Sequence, residues 1–314
     1  MIIKLMNDSH LEKILEIDQS AFQRDEPRTV QNLKGLREGD PEGCFVLLDG
    51  KEVVGYSFNK TMGDEGYLGP VGIQPSLHGK GWGQKLIQKS LDYLKSHCKV
   101  IGLEVRPEAG NNLGLYHKMG FHSAFPSLIL EVPEKFQIQP KKSRINISDE
   151  NSCKDINYHI EYNVELYSHL PEDRKKLILD KIELWTGNDL KGISYKNDLD
   201  LINAGDGDII IISKDDEPLG FLAYYSVVFL HLWGAIKPTR CQKDILREGL
   251  HFFRKINPQG EVLIEVNTRY SDLVDFLMGE GFKIRKSVNR MLLEGFEGEY
   301  LKKSSDFVMR AWHA

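Results

Sequence analysis

Apolar positions along the first 132 residues recur with two periods, and the switches between them mark alternating strands and helices. Met1–Leu5 is a short strand. Asp8 or Ser9 then stands as the cap of a helix whose apolar positions, Leu11, Ile14, Leu15, Ile17 and Phe22, fall on one face. Val30 to Leu36 predicts a second helix. Cys44–Leu48 and Val53–Phe58 are strand runs around Asp49-Gly50, a dipeptide that predicts a two-residue hairpin turn. Tyr67–Ile73 is a further strand, followed by a glycine-rich loop and a helix from Gly83 to His97. The stripe of that helix is Leu86, Ile87, Leu91 and Leu94, continuing to Cys98. Val100–Val105 predicts a strand, Asn111–Met119 a helix and Leu128–Val132 a last strand.

The second half repeats this order. Glu52-Val53-Val54-Gly55-Tyr56 matches Glu217-Pro218-Leu219-Gly220-Phe221 at an offset of 165. Leu103-Glu104-Val105 matches Ile264-Glu265-Val266, and Gly120-Phe121 matches Gly281-Phe282, both at 161. Ile73-Gln74-Pro75 matches Ile236-Lys237-Pro238, and Leu128–Glu131 matches Met291–Glu294, both at 163. Five matches in one order point to a duplicated domain. The alternative is two unrelated α/β domains with chance matches. The boundaries expected are a first domain over 1–135, a proline- and lysine-containing linker over 136–152 and a second domain over 153–314. Leu219–Ile236 is uncharged over 18 residues, at the lower limit for a membrane span, but its aromatic and β-branched content favours two strands and a turn. Phe307–Trp312 is a further short strand candidate.

Composition narrows the function classes. With 28% charged residues, 41% hydrophobic residues and a mean hydropathy of −0.37, the chain reads as globular, with no membrane partner. A net charge of −5 and only short basic clusters give no electrostatic case for nucleic acid. Cys44, Cys98, Cys153 and Cys241 are far apart, without zinc spacing, so reduced thiols, no metal and a cytoplasmic setting are expected. The opening residues lack the apolar core of a signal peptide.

Gly79-Lys80-Gly81-Trp82-Gly83 lies between a strand and a helix. A helix start offers unpaired N–H groups, and glycines let the backbone approach a phosphate, so the loop suits a pyrophosphate. The glycines alone also fit a bare turn. Their surroundings add to them: Val71-Gly72-Ile73-Gln74-Pro75-Ser76-Leu77-His78-Gly79-Lys80-Gly81-Trp82-Gly83-Gln84 resembles the coenzyme-binding motif of the GNAT acetyltransferases. The resemblance implies that the backbone of Val71 and Ile73 pairs with the pantetheine arm of acetyl-coenzyme A, and that His78, Gly79, Lys80, Gly81, Trp82, Gly83 and Gln84 hold its phosphates. His78 stands where the family has Gln or Arg.

Leu103-Glu104-Val105-Arg106, followed by Leu115-Tyr116-His117-Lys118-Met119-Gly120-Phe121, resembles the downstream part of the same family. Within it the likeness is greatest to the ribosomal-protein alanine N-acetyltransferases. It implies Glu104 as general base and Tyr116 as general acid. The family's coenzyme-contacting Asn falls on Ala109 here, which leaves Asn112 to take that contact. The chemistry has use for such groups: a protonated amine must lose a proton, and a departing thiolate must gain one. Glu104 also reads as a strand-end carboxylate in a salt bridge, a reading strengthened by Glu265 at the same place in the second half. Tyr116 also reads as a packing aromatic. His78 and His122 read as bystanders to the chemistry, and Asp25, Glu26, Asp64 and Glu65 as solvated acids able to attract an amine.

In the second half Gln242, Asp244 and Leu246 replace Gly79, Gly81 and Gly83, and Leu277 replaces Tyr116. The resemblance therefore implies an α/β chain of two tandem GNAT-like domains. Each is a mixed, mostly antiparallel sheet flanked by helices, and the second is degenerate. It implies direct acetyl transfer from acetyl-coenzyme A to a small-molecule or peptide amine. The alternatives are a protein N-terminal or lysine acceptor, and a non-catalytic acyl-coenzyme A sensor.

Overall fold

The strands form where β-branched and aromatic residues alternate, and the helices where the apolar stripe recurs every three or four residues. The structure, a computed structural model, describes residues 1–22, 27–134, 162–190, 193–196, 199, 202, 207–225 and 230–310. Contacts divide it into two compact units, neither continuous in sequence. The first is Met1–Ala124 with Asn289–Leu301; the second is Phe125–Val288 with residues 302–310.

In the first unit, β1 (Ile2–Leu5) precedes α1 (Leu11–Ala21) and α2 (Val30–Gly39). Thr29 caps α2 by accepting from the Asn32 amide. Next come β2 (Phe45–Asp49), β3 (Glu52–Met62), β4 (Glu65–Ile73), α3 (Trp82–His97), β5 (Val100–Val105), α4 (Gly110–Lys118) and β6 (Phe121–Ser123). The ladder runs β1-β2-β3-β4-β5, antiparallel up to β4 and parallel between β4 and β5. Leu11, Ile14 and Ile17 of α1 pack with Leu33 of α2 on Val46, Tyr56 and Phe58. Leu91 and Leu94 of α3 pack on Leu68, Leu103 and Val105.

The second unit repeats this order with β7 (Ser127–Glu131), β8 (Asn163–Leu166), α5 (Glu172–Asp189), β9 (Gly207–Lys214), β10 (Glu217–Tyr225) and β11 (Leu230–Ile236). Then follow α6 (Gln242–Ile256), β12 (Val262–Asn267), α7 (Ser271–Gly279), β13 (Lys283–Leu293) and β14 (Phe307–Met309). The ladder β8-β9-β10-β11-β12 reproduces the first one, with β11 and β12 parallel.

The two copies exchange their last strands. In the first unit the far edge of β5 is taken by Asn289–Leu292, where Asn289 pairs Val105 and Leu292 pairs Gly102. In the second, the far edge of β12 is taken by β7, where Ser127 pairs Asn267 and Glu131 pairs Leu263. The exchanged segments are those that match in sequence, so each carries an apolar pattern that fits the other's place. The expected division into 1–135 and 153–314 followed the chain and did not foresee this exchange. The expected linker, 136–152, lies outside the described residues.

The turn after β2 differs by one residue. Asp49 pairs Glu52, so the loop is Gly50-Lys51, with Gly50 at φ 59° supplying the left-handed position. Of the uncharged run, Leu219–Tyr225 lies in β10 and Leu230–Ile236 forms β11, while the expected turn between them lies outside the described residues; no described helix is long and apolar enough to cross a membrane.

Met291 of β13 is fully buried in the first unit's α3–β5 core. Met291→Ala is expected to cost about 2–5 kcal/mol in denaturant unfolding. It should also raise hydrogen exchange in β5, far away in sequence; unchanged protection of Val100–Val105 would contradict the exchange.

Candidate active site

The loop between β4 and α3 takes its shape from two glycines. Gly79 and Gly81 sit at φ 72° and 79°, in the left-handed region that side chains with a Cβ avoid. A Cβ at either would meet no atom within 4 Å, so the loop backbone faces open space. Gly81 is the residue before α3, and the first helical hydrogen bond is Lys85 N–H to Gly81 O at 3.2 Å. The N–H groups of Trp82, Gly83 and Gln84 thus belong to the unpaired first turn of a 16-residue helix, at its positive dipole end. The first turn contains no acidic side chain. Lys85 Nζ lies 4.1 Å from the centre of the Trp82 ring, and Lys80 is exposed. Such a loop suits an anion with several oxygens.

His78 does something the sequence did not foretell. Its Nε2 lies 3.1 Å from the carbonyl of Ile73, so the ring folds back on the end of β4. With Nε2 protonated it donates to the carbonyl that was expected to face the pantetheine arm.

Beside the loop the sheet opens. β4 and β5 pair only at Glu65–Val100, Gly66–Ile101 and Tyr67–Gly102, although β4 runs on to Ile73 and β5 to Val105. A bulge in β4 starts the divergence. Ser57 pairs Val71 and Asn59 pairs Leu68, so three steps on β4 match two on β3. Val71 and Ile73 lie on the diverging part, at the head of the glycine loop.

Glu104 and Tyr116 lie on opposite faces of β5. Leu103 and Val105 belong to the core under α3 and α4, and Tyr116 packs against that core. Glu104, between them, points to the other face by the two-residue period of a strand. Tyr116 is half-buried and meets Phe121 edge to face at 5.9 Å. Burial pushes its phenol up to about 12.

Glu104 is held in an ion pair, as the salt-bridge reading anticipated. Arg290 Nε donates to Glu104 Oε1 at 2.9 Å, a second guanidinium N–H donates to the same oxygen, and a third reaches the Tyr300 hydroxyl. Both charged side chains are 2% exposed. Arg290 and Tyr300 are the site residues the sequence reading missed. The available signal was an arginine placed directly before the apolar run Met291–Leu293.

The other candidates lie apart from this centre. Asn112 is exposed on the first turn of α4, and Ala109 precedes that helix with no side-chain cap. His122 lies 3.7 Å from Glu297, Asp64 pairs with Lys99 at 2.8 Å, and Glu65 is buried. Asp25 and Glu26 lie outside the described residues. Cys44 and Cys98 are buried, and burial pushes both thiols up to about 12. Among the described residues no group of three or more His, Cys, Asp or Glu is arranged to hold a metal ion.

The second unit has the same parts with the opening filled. β11 and β12 pair from Leu230–Val262 to Leu232–Ile264 and then part. β14 enters there: Met309, Val308 and Phe307 pair with Gly234, Ala235 and Ile236, and Arg310 N–H donates to Glu265 O on β12 at 3.1 Å. Cys241, before α6, has φ −104°, and Asp244 puts a negative charge in that helix's first turn. Leu277, at the place of Tyr116, is fully buried.

Residues 11–121 match the family described as acetyltransferase (GNAT). A [ribosomal protein bS18]-alanine N-acetyltransferase from Haemophilus influenzae is 27% identical over 146 residues, 46% of this chain and 93% of that protein. A candidate acetyltransferase from Pyrococcus horikoshii shares the fold over 99% of this chain and 94% of its own, with a TM-score of 0.66 at 15% identity. A tandem GNAT protein from the clavulanic acid biosynthesis pathway matches over 94% of this chain and 98% of its own, with a TM-score of 0.60 at 11% identity.

The position of Tyr116 gives a pH expectation. A phenol raised to about 12 stays protonated through pH 10, so the stability its neutral form contributes is present below the unfolded value of ~10 and lost as pH rises through about 12. Spectrophotometric titration should show Tyr116→Phe removing one tyrosinate step above pH ~11; loss of a step near 10 would contradict the burial.

Proposed function

From the premise that residues 11–121 carry an acetyltransferase (GNAT) domain, we propose that the chain is an acetyl-coenzyme A-dependent N-acetyltransferase with one working site, in its first unit. The observation that carries this reading is the pairing of the left-handed Gly79/Gly81 loop with the gap between β4 and β5, which the second unit lacks. The loop and the first turn of α3 hold the diphosphate. The free edge of β4 around Val71 takes the extended pantetheine arm by strand-like pairing, with Ile73 O shared with His78. Bound there, acetyl-coenzyme A supplies an activated thioester.

Glu104, directly or through water, takes a proton from the acceptor amine. Tyr116 keeps its own proton at neutral pH and gives it to the departing sulfur. An N–H of the β4 bulge steadies the developing negative charge on oxygen; Val71 has one, whereas Pro70 before it does not. The buried Cys44 and Cys98 thiols make poor nucleophiles, which favours direct attack by the amine. The acceptor class we favour is a protein N-terminal amine. It rests on the Haemophilus influenzae relative, of which the match spans 93%. A small-molecule amine is the second reading.

The test is a coupled assay for free thiol with acetyl-coenzyme A, peptides bearing N-terminal alanine and a panel of small amines, alongside calorimetry. Calorimetry should find one coenzyme per chain. Gly81→Val should weaken binding about tenfold or more, since a β-branched residue at positive φ costs about 1–3 kcal/mol. Tyr116→Phe should lower kcat by roughly 10²-fold with coenzyme affinity unchanged. Coenzyme binding with no transfer to any amine would favour a sensor.

A further inference from the structure

Arg290 is the one charged side chain among the fully buried large residues of the chain's described part. It arrives in the first unit on β13, and its guanidinium donates to Glu104 and to the Tyr300 hydroxyl. An arginine and a glutamate lose their hydration when buried together, and apolar residues of similar size often hold a fold equally well. The neighbouring Met291, Leu292 and Leu293 show that this strand is already anchored by apolar packing. Apolar packing thus anchors the strand on its own account, and a buried ion pair is weak evidence for a fastening role. Its location is specific, however: Glu104 lies two residues beyond Gly102, the last residue of β5 paired to β4, at the level where the gap opens.

Resting on the acetyltransferase reading, we propose that Arg290 is a positioning residue for acetyl transfer in the first unit. By holding Oε1 through two N–H groups it fixes the plane of the Glu104 carboxylate, the group read above as the base. Tyr300 in turn holds the guanidinium through the third N–H. The working site is then assembled from residues 186 positions apart. Tyr67 and Tyr300 belong to one buried cluster with Leu292, the strand neighbour of Met291.

The experiment compares the full-length wild type with Arg290→Lys, Arg290→Met, Tyr300→Phe and Glu104→Gln. It measures kcat and KM across about pH 5–10, coenzyme affinity by calorimetry and Tm. Arg290→Met should lower kcat about 30-fold or more and move the acid limb up by about one pH unit, because a carboxylate without its cation is easier to protonate. Arg290→Lys should recover about tenfold of that loss, and Tyr300→Phe should cost about three- to tenfold in kcat with coenzyme affinity unchanged. Adding Arg290→Met to Glu104→Gln should lower kcat no further, as residues acting through one group are not additive.

An acid limb that stays in place while Tm falls would overturn the proposal and leave Arg290 purely structural. If Arg290→Met does not fold, wild-type kcat and an unmoved limb in both Arg290→Lys and Tyr300→Phe would overturn it equally. A wild type that binds coenzyme but acetylates no amine would instead remove the acetyltransferase reading beneath it.

Discussion

Strand β5 has two edges, and what each one pairs with decides most of the first unit. On one side β4 accompanies it only as far as Gly102 and then turns away. The divergence leaves backbone groups to be satisfied by something other than a strand, and it opens a gap beside the glycine loop. A strand parted on one side must be secured on the other, because buried N–H and C=O groups left unpaired cost as much as a lost hydrogen bond. That second edge is taken by Asn289–Leu292. The same segment brings Arg290 onto Glu104 and Met291 into the core beneath α3. The open gap, the held carboxylate and the closed sheet share one four-residue ladder.

The second unit lays out the same architecture with its opening filled. Its parallel pair parts at the corresponding place, yet β14 fills the gap with three residues of ladder and a bond to the Glu265 carbonyl. The loop before α6 has no left-handed residue, and its first turn carries Asp244. The glycines, the tyrosine and the opening are all absent from the corresponding places among its described residues. The strand supplied to the other copy has been kept. What the second copy contributes is thus a sheet edge, a buried arginine and a tyrosine hydroxyl.

Much of this was legible in the sequence because it depends on local pattern. The helix stripe Leu86, Ile87, Leu91 and Leu94 placed α3, and the glycine spacing placed the loop at its head. The run Leu219–Ile236 resolved into two strands because its β-branched and aromatic residues favour extended backbone. Glu104 and Tyr116 were singled out through the residues around them. What escaped depends on contacts between distant residues. The exchange was hidden because Leu128–Glu131 and Met291–Glu294 are alike, and likeness in a duplicated chain does not say which copy receives which strand. Arg290 stands directly before the apolar run Met291–Leu293, after several basic and polar residues, and its partner lies in another strand far upstream. The reach of His78 to Ile73 O depends on loop geometry that residue identities leave open. The shift of the hairpin turn by one residue came from the bulge in β2–β3 pairing between Leu47 and Leu48, which no residue type announces.

The exchanged strand also sets a clock on biosynthesis. Everything in the first unit through Phe121 has left the ribosome long before the segment that completes β5 is made. At about 5–20 residues per second, the interval between Val105 and Leu293 is roughly ten to forty seconds. Throughout it β5 presents a bare edge, and β7 is free to fold back into the place later taken by its counterpart. The nascent chain must therefore either wait or first adopt the unexchanged pairing and surrender it, a requirement that an ordinary single-copy domain of this kind does not face.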